Sequence, residues 1–117
     1  MKVLVCGGRT FNQYSLLSRT LTEFHKLNRI VELCHGGARG ADSLSGDWAR
    51  AHKVPCKVYH AEWDKYGRSA GPIRNLQMLD EFKPSVVIAF PGGAGTTHMV
   101  KAAHAKKVPV IQVNYDQ

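Results

Sequence analysis

The sequence predicts an α/β fold: one three-layer domain in which helices cover both faces of a five-stranded parallel sheet. Apolar runs occupy residues 2–6, 30–34, 55–59, 85–90 and 108–113. Most are continuous stretches of Val, Ile and Leu rather than strict alternations, as strands buried on both faces require. Amphipathic stretches of helical period separate them, and a β-α-β-α-β-α-β-α-β order implies parallel strands. The chain has 117 residues, the size of one compact domain, and no linker or internal repeat divides it.

Each helix has its own warrant. Residues 13–27 place Leu17, Leu21 and Phe24 at helical spacing, with Leu16 and Leu27 beside them. Residues 41–52 carry Leu44 and Trp48 four apart, residues 73–82 set Ile73, Leu76 and Leu79 on one side, and residues 96–106 present an alanine-rich face. Segment 60–70 reads as neither helix nor strand. Right-handed crossovers leave few topologies, of which 3-2-1-4-5 is the expected strand order.

Composition excludes whole classes of function. No apolar run approaches the length that crosses a bilayer, and Met1–Gly8 is too short and glycine-terminated for a signal peptide, so a cytoplasmic protein is expected. The odd set Cys6, Cys34 and Cys56 matches no zinc or redox spacing and reads as small buried hydrophobes; no metal and no cofactor is expected. Sixteen basic against nine acidic residues give a net charge of +7, which favours anionic partners. The basic residues are scattered and lack interleaved aromatics, so nucleic acid is not the favoured partner.

Glycine marks the expected site. In doubly wound sheets ligands bind beyond the carboxyl ends of the strands, where the strand order reverses. The first strand runs into Gly7-Gly8-Arg9, the second into Gly36-Gly37-Ala38-Arg39-Gly40-Ala41-Asp42, and the fourth into Pro91-Gly92-Gly93-Ala94-Gly95-Thr96-Thr97. These loops hold eight of the eleven glycines and would line one crevice. Without a Cβ the backbone brings its N–H groups close to a ligand, and each loop opens a helix whose first N–H groups lack partners and attract an anion. Thr96 and Thr97 add hydroxyls; Arg9, Arg39 and Arg74 offer bidentate grips on phosphate. No Gly-Lys-Ser/Thr follows any loop, and none reads G-x-G-x-x-G with an acidic residue on the next strand end, so neither a P-loop nor an ordinary dinucleotide fingerprint is present. Asp42 sits where an N-cap is expected. Trp63 and Tyr66 are candidates for base stacking or loop anchoring, and Arg74 with Asn75 opens the third helix toward the crevice.

Pro91-Gly92-Gly93-Ala94-Gly95-Thr96 resembles the Pro-Gly-Gly-x-Gly-Thr signature of the SLOG superfamily. That group includes the "lonely guy" nucleoside-monophosphate phosphoribohydrolases and the DprA/Smf DNA-processing proteins. Together with Gly36–Asp42, Trp63-x-x-Tyr66-Gly67 and Ala70-Gly71-Pro72-Ile73-Arg74-Asn75, it is similar to the narrower YspA-type, YpsA-related branch of small stand-alone phage and bacterial proteins. The resemblance implies a Rossmann-like fold, a nucleotide-derived ligand and a dimer. In the "lonely guy" enzymes a Glu tied to glycosidic cleavage follows the signature; here that position is Met99, preceded by His98. Arg74 matches the Arg of their Arg-Lys pair, and Asn75 replaces the Lys. Cleavage wants a carboxylate, for which Asp42 is the first candidate with Glu62 and Asp64 behind it, and His98 is the candidate acid or base. The expected function is binding of a nucleotide or nucleotide derivative, ADP-ribose-like or cyclic, as a sensor or sequestering protein. The alternatives are N-glycosidic hydrolysis of such a compound and DprA-like nucleic-acid binding.

Overall fold

The computed structural model describes residues 1–115. Its sheet has the order β3-β2-β1-β4-β5, every pairing parallel. The strands are β1 (Lys2–Cys6), β2 (Glu32–His35), β3 (Cys56–Val58), β4 (Val86–Ala89) and β5 (Val110–Gln112). The helices are α1 (Tyr14–Leu27), α2 (Ala41–Ala51), the short α3 (Trp63–Tyr66), α4 (Ala70–Gln77) and α5 (Ala94–Ala105). A 3-10 turn, Gly67–Ser69, joins α3 to α4, and α4 widens into a π turn over Met78–Phe82.

Two cores sandwich the sheet. Val3 and Val5 of β1 pack with Leu17 and Leu21 of α1 and Trp48 of α2, while Leu4 and Cys6 face Met78, Leu79, Met99 and Ala103 on the other side. This alternation is what a central strand covered on both faces requires. Burying a side chain of that size removes about 1.5–3 kcal/mol worth of apolar exposure. Trp48 is fully buried, and its indole N–H donates to Thr22 Oγ1 (3.1 Å), which ties α2 to α1.

Three expectations need correction. β3 is an edge strand exposed along all its residues, so Cys56 lies at the surface while Cys6 and Cys34 are buried; β5, at the other edge, is also largely exposed. Edge strands have a neighbour on one side only, and composition cannot tell an edge from a centre. The third long helix begins at Ala70, and its inward face is Ala70, Asn75, Met78 and Leu79, leaving Ile73 and Leu76 exposed. Both faces have plausible spacing, and polar Arg74 and Asn75 turn inward because the loops supply their partners. Leu27, at the last position of α1, is exposed rather than part of the apolar stripe.

Candidate functional site

The crevice is built from backbone. Gly8 N donates to Pro91 O (2.8 Å), and Gly8 O accepts from Phe11 N and from Ala41 N (3.2 Å each). One residue of the β1 loop thereby joins the β2–α2 and β4–α5 loops. Such contact needs glycine at Gly40, where φ is +75° and an added Cβ would stand 2.1 Å from Gly8 O. Gly7, Gly8 and Gly92 are crowded by the same meeting of loops, and Gly36 by the Arg74 guanidinium.

The β2–α2 loop turns its donors inward. Gly36 N and Ala38 N donate to Asp42 Oδ2 (3.1 and 3.2 Å), and Gly37 N donates to His35 Nδ1 (3.0 Å). The loop expected to receive an external anion encloses the protein's own carboxylate. Asp42 is therefore not the helix N-cap. Gly40 holds that position without a side-chain cap, and Asp42 bonds the preceding loop. Nor do these donors hold its carboxyl fully ionised. Burial outweighs them and the nearby Arg74 and Arg9 charges and raises its pKa to about 6. Burial, with the charges of His60 and Arg74, lowers His35 to about 4. Accepting at Nδ1 assigns the His35 proton to Nε2.

The β4–α5 loop does the opposite. A Cβ at Gly93 or Gly95 would meet nothing within 4 Å, and the space there is open. Gly93 has φ −104°, so its role is room and not a left-handed backbone. α5 starts at Ala94, and its first bond is Thr97 N to Gly93 O (3.0 Å). The N–H groups of Ala94, Gly95 and Thr96 precede it and have no intrahelical acceptor. Thr97 Oγ1 donates back to Gly93 O (3.1 Å).

A polar relay links the loops. Arg74 Nη1 donates to Gly36 O and to Tyr59 O (3.4 Å), and Arg74 Nε donates to Asn75 Oδ1 (3.1 Å). Asn75 Nδ2 donates to Gly95 O (3.3 Å) and to His98 Nδ1 (3.1 Å). The relay fixes the Asn75 amide and leaves the His98 proton on Nε2. Met99, by contrast, is fully buried in the core.

Two adjoining cavities result. The smaller, about 560 Å³, lies over Gly36, Gly37, Arg39 and His60. The larger, about 770 Å³, lies over Gly7, Gly8, Asp42, Asn75, His98 and Pro91–Thr96. Arg9, Ala38, Trp63 and Arg74 line both. Gly40 lines neither, because it is packed beneath the loops. Tyr66 also lines neither; Lys65 Nζ lies 5.0 Å from its ring centroid. Glu62 and Asp64 stay outside on the exposed rim. Thr97 faces a third cavity of about 400 Å³ behind the Pro-Gly-Gly loop. The sequence reading missed His60, Arg68 and Tyr115. Arg68 lay in the unassigned segment, and Tyr115 comes close only because β5 ends beside the crevice.

Fold and site together define a doubly wound α/β domain with an arginine-rimmed crevice at the carboxyl ends of its strands. The chain belongs to the YspA, cpYpsA-related SLOG family, whose profile matches residues 1–66. It is similar to the Gene 61 protein of Mycobacterium phage D29, 32% identical over 118 residues and covering 94% of each chain. That likeness extends past the profile, which ends before the Pro-Gly-Gly loop. Among solved structures the fold resembles the UDP-GlcNAc 2-epimerase from Neisseria meningitidis bound to UDP-GlcNAc, with a TM-score of 0.62 at 21% identity. The match covers 97% of this chain and 32% of the epimerase, so the chain spans about a third of that enzyme. Among the described residues no helix is long and apolar enough to cross a membrane, and no His, Cys, Asp and Glu cluster suits a metal ion.

Proposed function

We propose that this protein binds a phosphorylated nucleotide or nucleotide derivative in the crevice, as a sensor or sequestering protein. One observation carries the reading: the open first turn of α5, where Gly93 and Gly95 leave room beside N–H groups that no helix bond uses. A phosphate seated there lies in the cavity that Arg9 and Arg74 also line. Trp63, half exposed on the wall of both cavities, offers a face for a base or sugar. The test is the mass of any small molecule released when the natively purified protein is denatured. It is followed by calorimetry with that compound and with its dephosphorylated form. A phosphorylated ligand that loses affinity on dephosphorylation supports the reading; equal affinity of the two forms overturns it.

A second reading, N-glycosidic hydrolysis, draws on the carboxyl of Asp42, raised to about 6 in the same cavity as His98. Near neutral pH such a group can exchange a proton. If the ligand is cleaved, Asp42→Asn should still fold and bind but lose base release by roughly two orders of magnitude or more, read by product mass spectrometry. Full activity in that variant would move the role to His98.

A further inference from the structure

Lysine marks the end of the sheet opposite the crevice. Among the described residues, positive φ at glycine occurs at Gly37, Gly40 and Gly67, in the loops beyond the carboxyl ends of the strands. Positive φ at other residues occurs only at lysines: Lys53 (56°), Lys83 (54°) and Lys107 (60°). Each ends a helical segment, namely α2, the π turn after α4, and α5. Left-handed backbone strains any side chain, and glycine would hold these turns at less cost. A cation does complement the helix dipole, but the last helical turn offers that benefit in ordinary backbone. Lysine at the turn itself carries the charge past the helix, to the amino end of the next strand.

The sheet sets these turns side by side. In the order β3-β2-β1-β4-β5, Lys53 precedes one edge strand, Lys83 precedes β4, and Lys107 precedes the other edge strand. Between Lys53 and Lys83 lies the entry to β2, where Val31 N donates to Met1 O (2.9 Å). The aliphatic side chains of Leu27 and Val31 project there, 84% and 54% exposed, and neither belongs to a core. Lys26 and Arg29, both exposed, alternate with them. Of the acids near this end, Asp47 and Asp80 are held by Arg50 (3.1 Å) and Lys106 (2.6 Å), which leaves Glu23, Glu32 and Glu81. Among the described residues no ion pair engages Lys26, Arg29, Lys53, Lys83 or Lys107.

Helix capping accounts for a cation at each helix end, but not for the aliphatic tips between them. Aliphatic tips inside a cationic rim match a bilayer surface. The tips enter the boundary between headgroups and acyl chains, and the cations meet lipid phosphates. A nucleic acid would call for hydrogen-bonding side chains between the cations, where this end has Leu27 and Val31. We infer that this end of the domain docks on an anionic lipid surface. The crevice, at the other end of the strands, then stays open to solvent.

The test is flotation of the full chain with vesicles of phosphatidylcholine alone or with about 30% phosphatidylserine added. The anionic vesicles should bind about ten-fold or more tightly than the neutral ones. Lys53→Gly combined with Lys83→Gly removes two charges and relieves two left-handed side chains, so it should fold and lose most of that preference. Lys65→Gln combined with Lys101→Gln removes as much charge elsewhere and should bind within about two-fold of the wild type. Leu27→Gln, at a fully projecting position, should weaken binding by about three-fold or more. Equal binding to the two kinds of vesicle, or to neither, overturns the inference. Equal losses in the two double variants also overturn it, because net charge alone then explains the attraction. So does unchanged binding by Leu27→Gln, which leaves the apolar tips without a role. Tighter binding to duplex DNA than to anionic vesicles, lost in the Lys53→Gly and Lys83→Gly variant, would assign this end to nucleic acid instead.

Discussion

Two glycine-rich loops of nearly the same composition end in opposite states. The β2–α2 loop closes on Asp42 and His35, which accept from Gly36, Gly37 and Ala38, so its donors are spent inside the protein. The β4–α5 loop leaves the first N–H groups of its helix free and Gly93 and Gly95 facing open space. Glycine serves packing in the first and vacancy in the second. The difference comes from one residue: a carboxylate six positions after Gly36 fills the first loop, and no acid follows Pro91-Gly92-Gly93 at an equivalent distance. A glycine-rich turn is therefore an anion site only when nothing within the chain gets there first.

The sharpest test is a matched pair of alanines. Gly40→Ala should cost about 3 kcal/mol or more in urea unfolding, because the new Cβ strikes Gly8 O and φ is positive. Gly95→Ala should change stability by less than about 0.5 kcal/mol, since its Cβ meets nothing. Equal costs would erase the distinction between the loops. Gly93→Val should fold normally and weaken a phosphorylated ligand by roughly 100-fold, about 2.7 kcal/mol, by filling the open space. Unchanged calorimetric affinity would place the ligand elsewhere.

Arg74 belongs to both loops and should report on both. Arg74→Ala is expected to lose about 1.5–3 kcal/mol of affinity for a phosphorylated ligand and much less for the matching nucleoside. It should also lower stability, because Gly36 O and Tyr59 O lose a donor. Equal affinity losses for nucleotide and nucleoside would mean that Arg74 shapes the crevice without reading phosphate.

In the wild-type protein the smallest effect is that of pH, because two opposed titrations nearly cancel. Asp42 titrates near 6 when folded against about 3.8 unfolded, so the native state holds its proton more firmly, and this contribution to stability falls as pH rises from about 4 to 6. His35 titrates near 4 against about 6.5, so the unfolded chain takes up its proton first, and that contribution rises over nearly the same interval. The two oppose each other, and the wild type should show a shallow profile between about pH 4 and 6. His35→Gln should expose a decline in stability with rising pH, and Asp42→Asn a rise, each up to about 3 kcal/mol across the window. Parallel profiles in both variants would show that neither group is perturbed as described.

The sheet order, all strands and the long helices were legible because buried apolar runs and crossover rules leave little choice. The meeting of the glycine loops was legible for the same reason, since topology alone brings strands 2, 1 and 4 together. What each loop does with its N–H groups was not legible. Asp42 reads equally well as a cap of its own helix or as a partner of the loop before it, and only the turn at Gly40 decides between them. Ile73 and Leu76 misled because apolar spacing fixes that a helix has a stripe, not which stripe faces in. His60 and Arg68 both lie in the segment 60–70 that reads as neither helix nor strand, and Tyr115 follows the last strand; all three reach the crevice only through tertiary packing.

Gly8 carries a consequence for how fast a ligand can enter. Its N–H and carbonyl hold the three loops in one hydrogen-bonded frame, so no loop can swing out without breaking a bond to another. A frame of this stiffness has little disorder left to surrender when a ligand arrives, which keeps the entropic penalty of capture small. Association should then proceed in a single phase whose rate stays proportional to ligand concentration in stopped-flow mixing. Affinity differences among related ligands should appear mainly in how long each one stays.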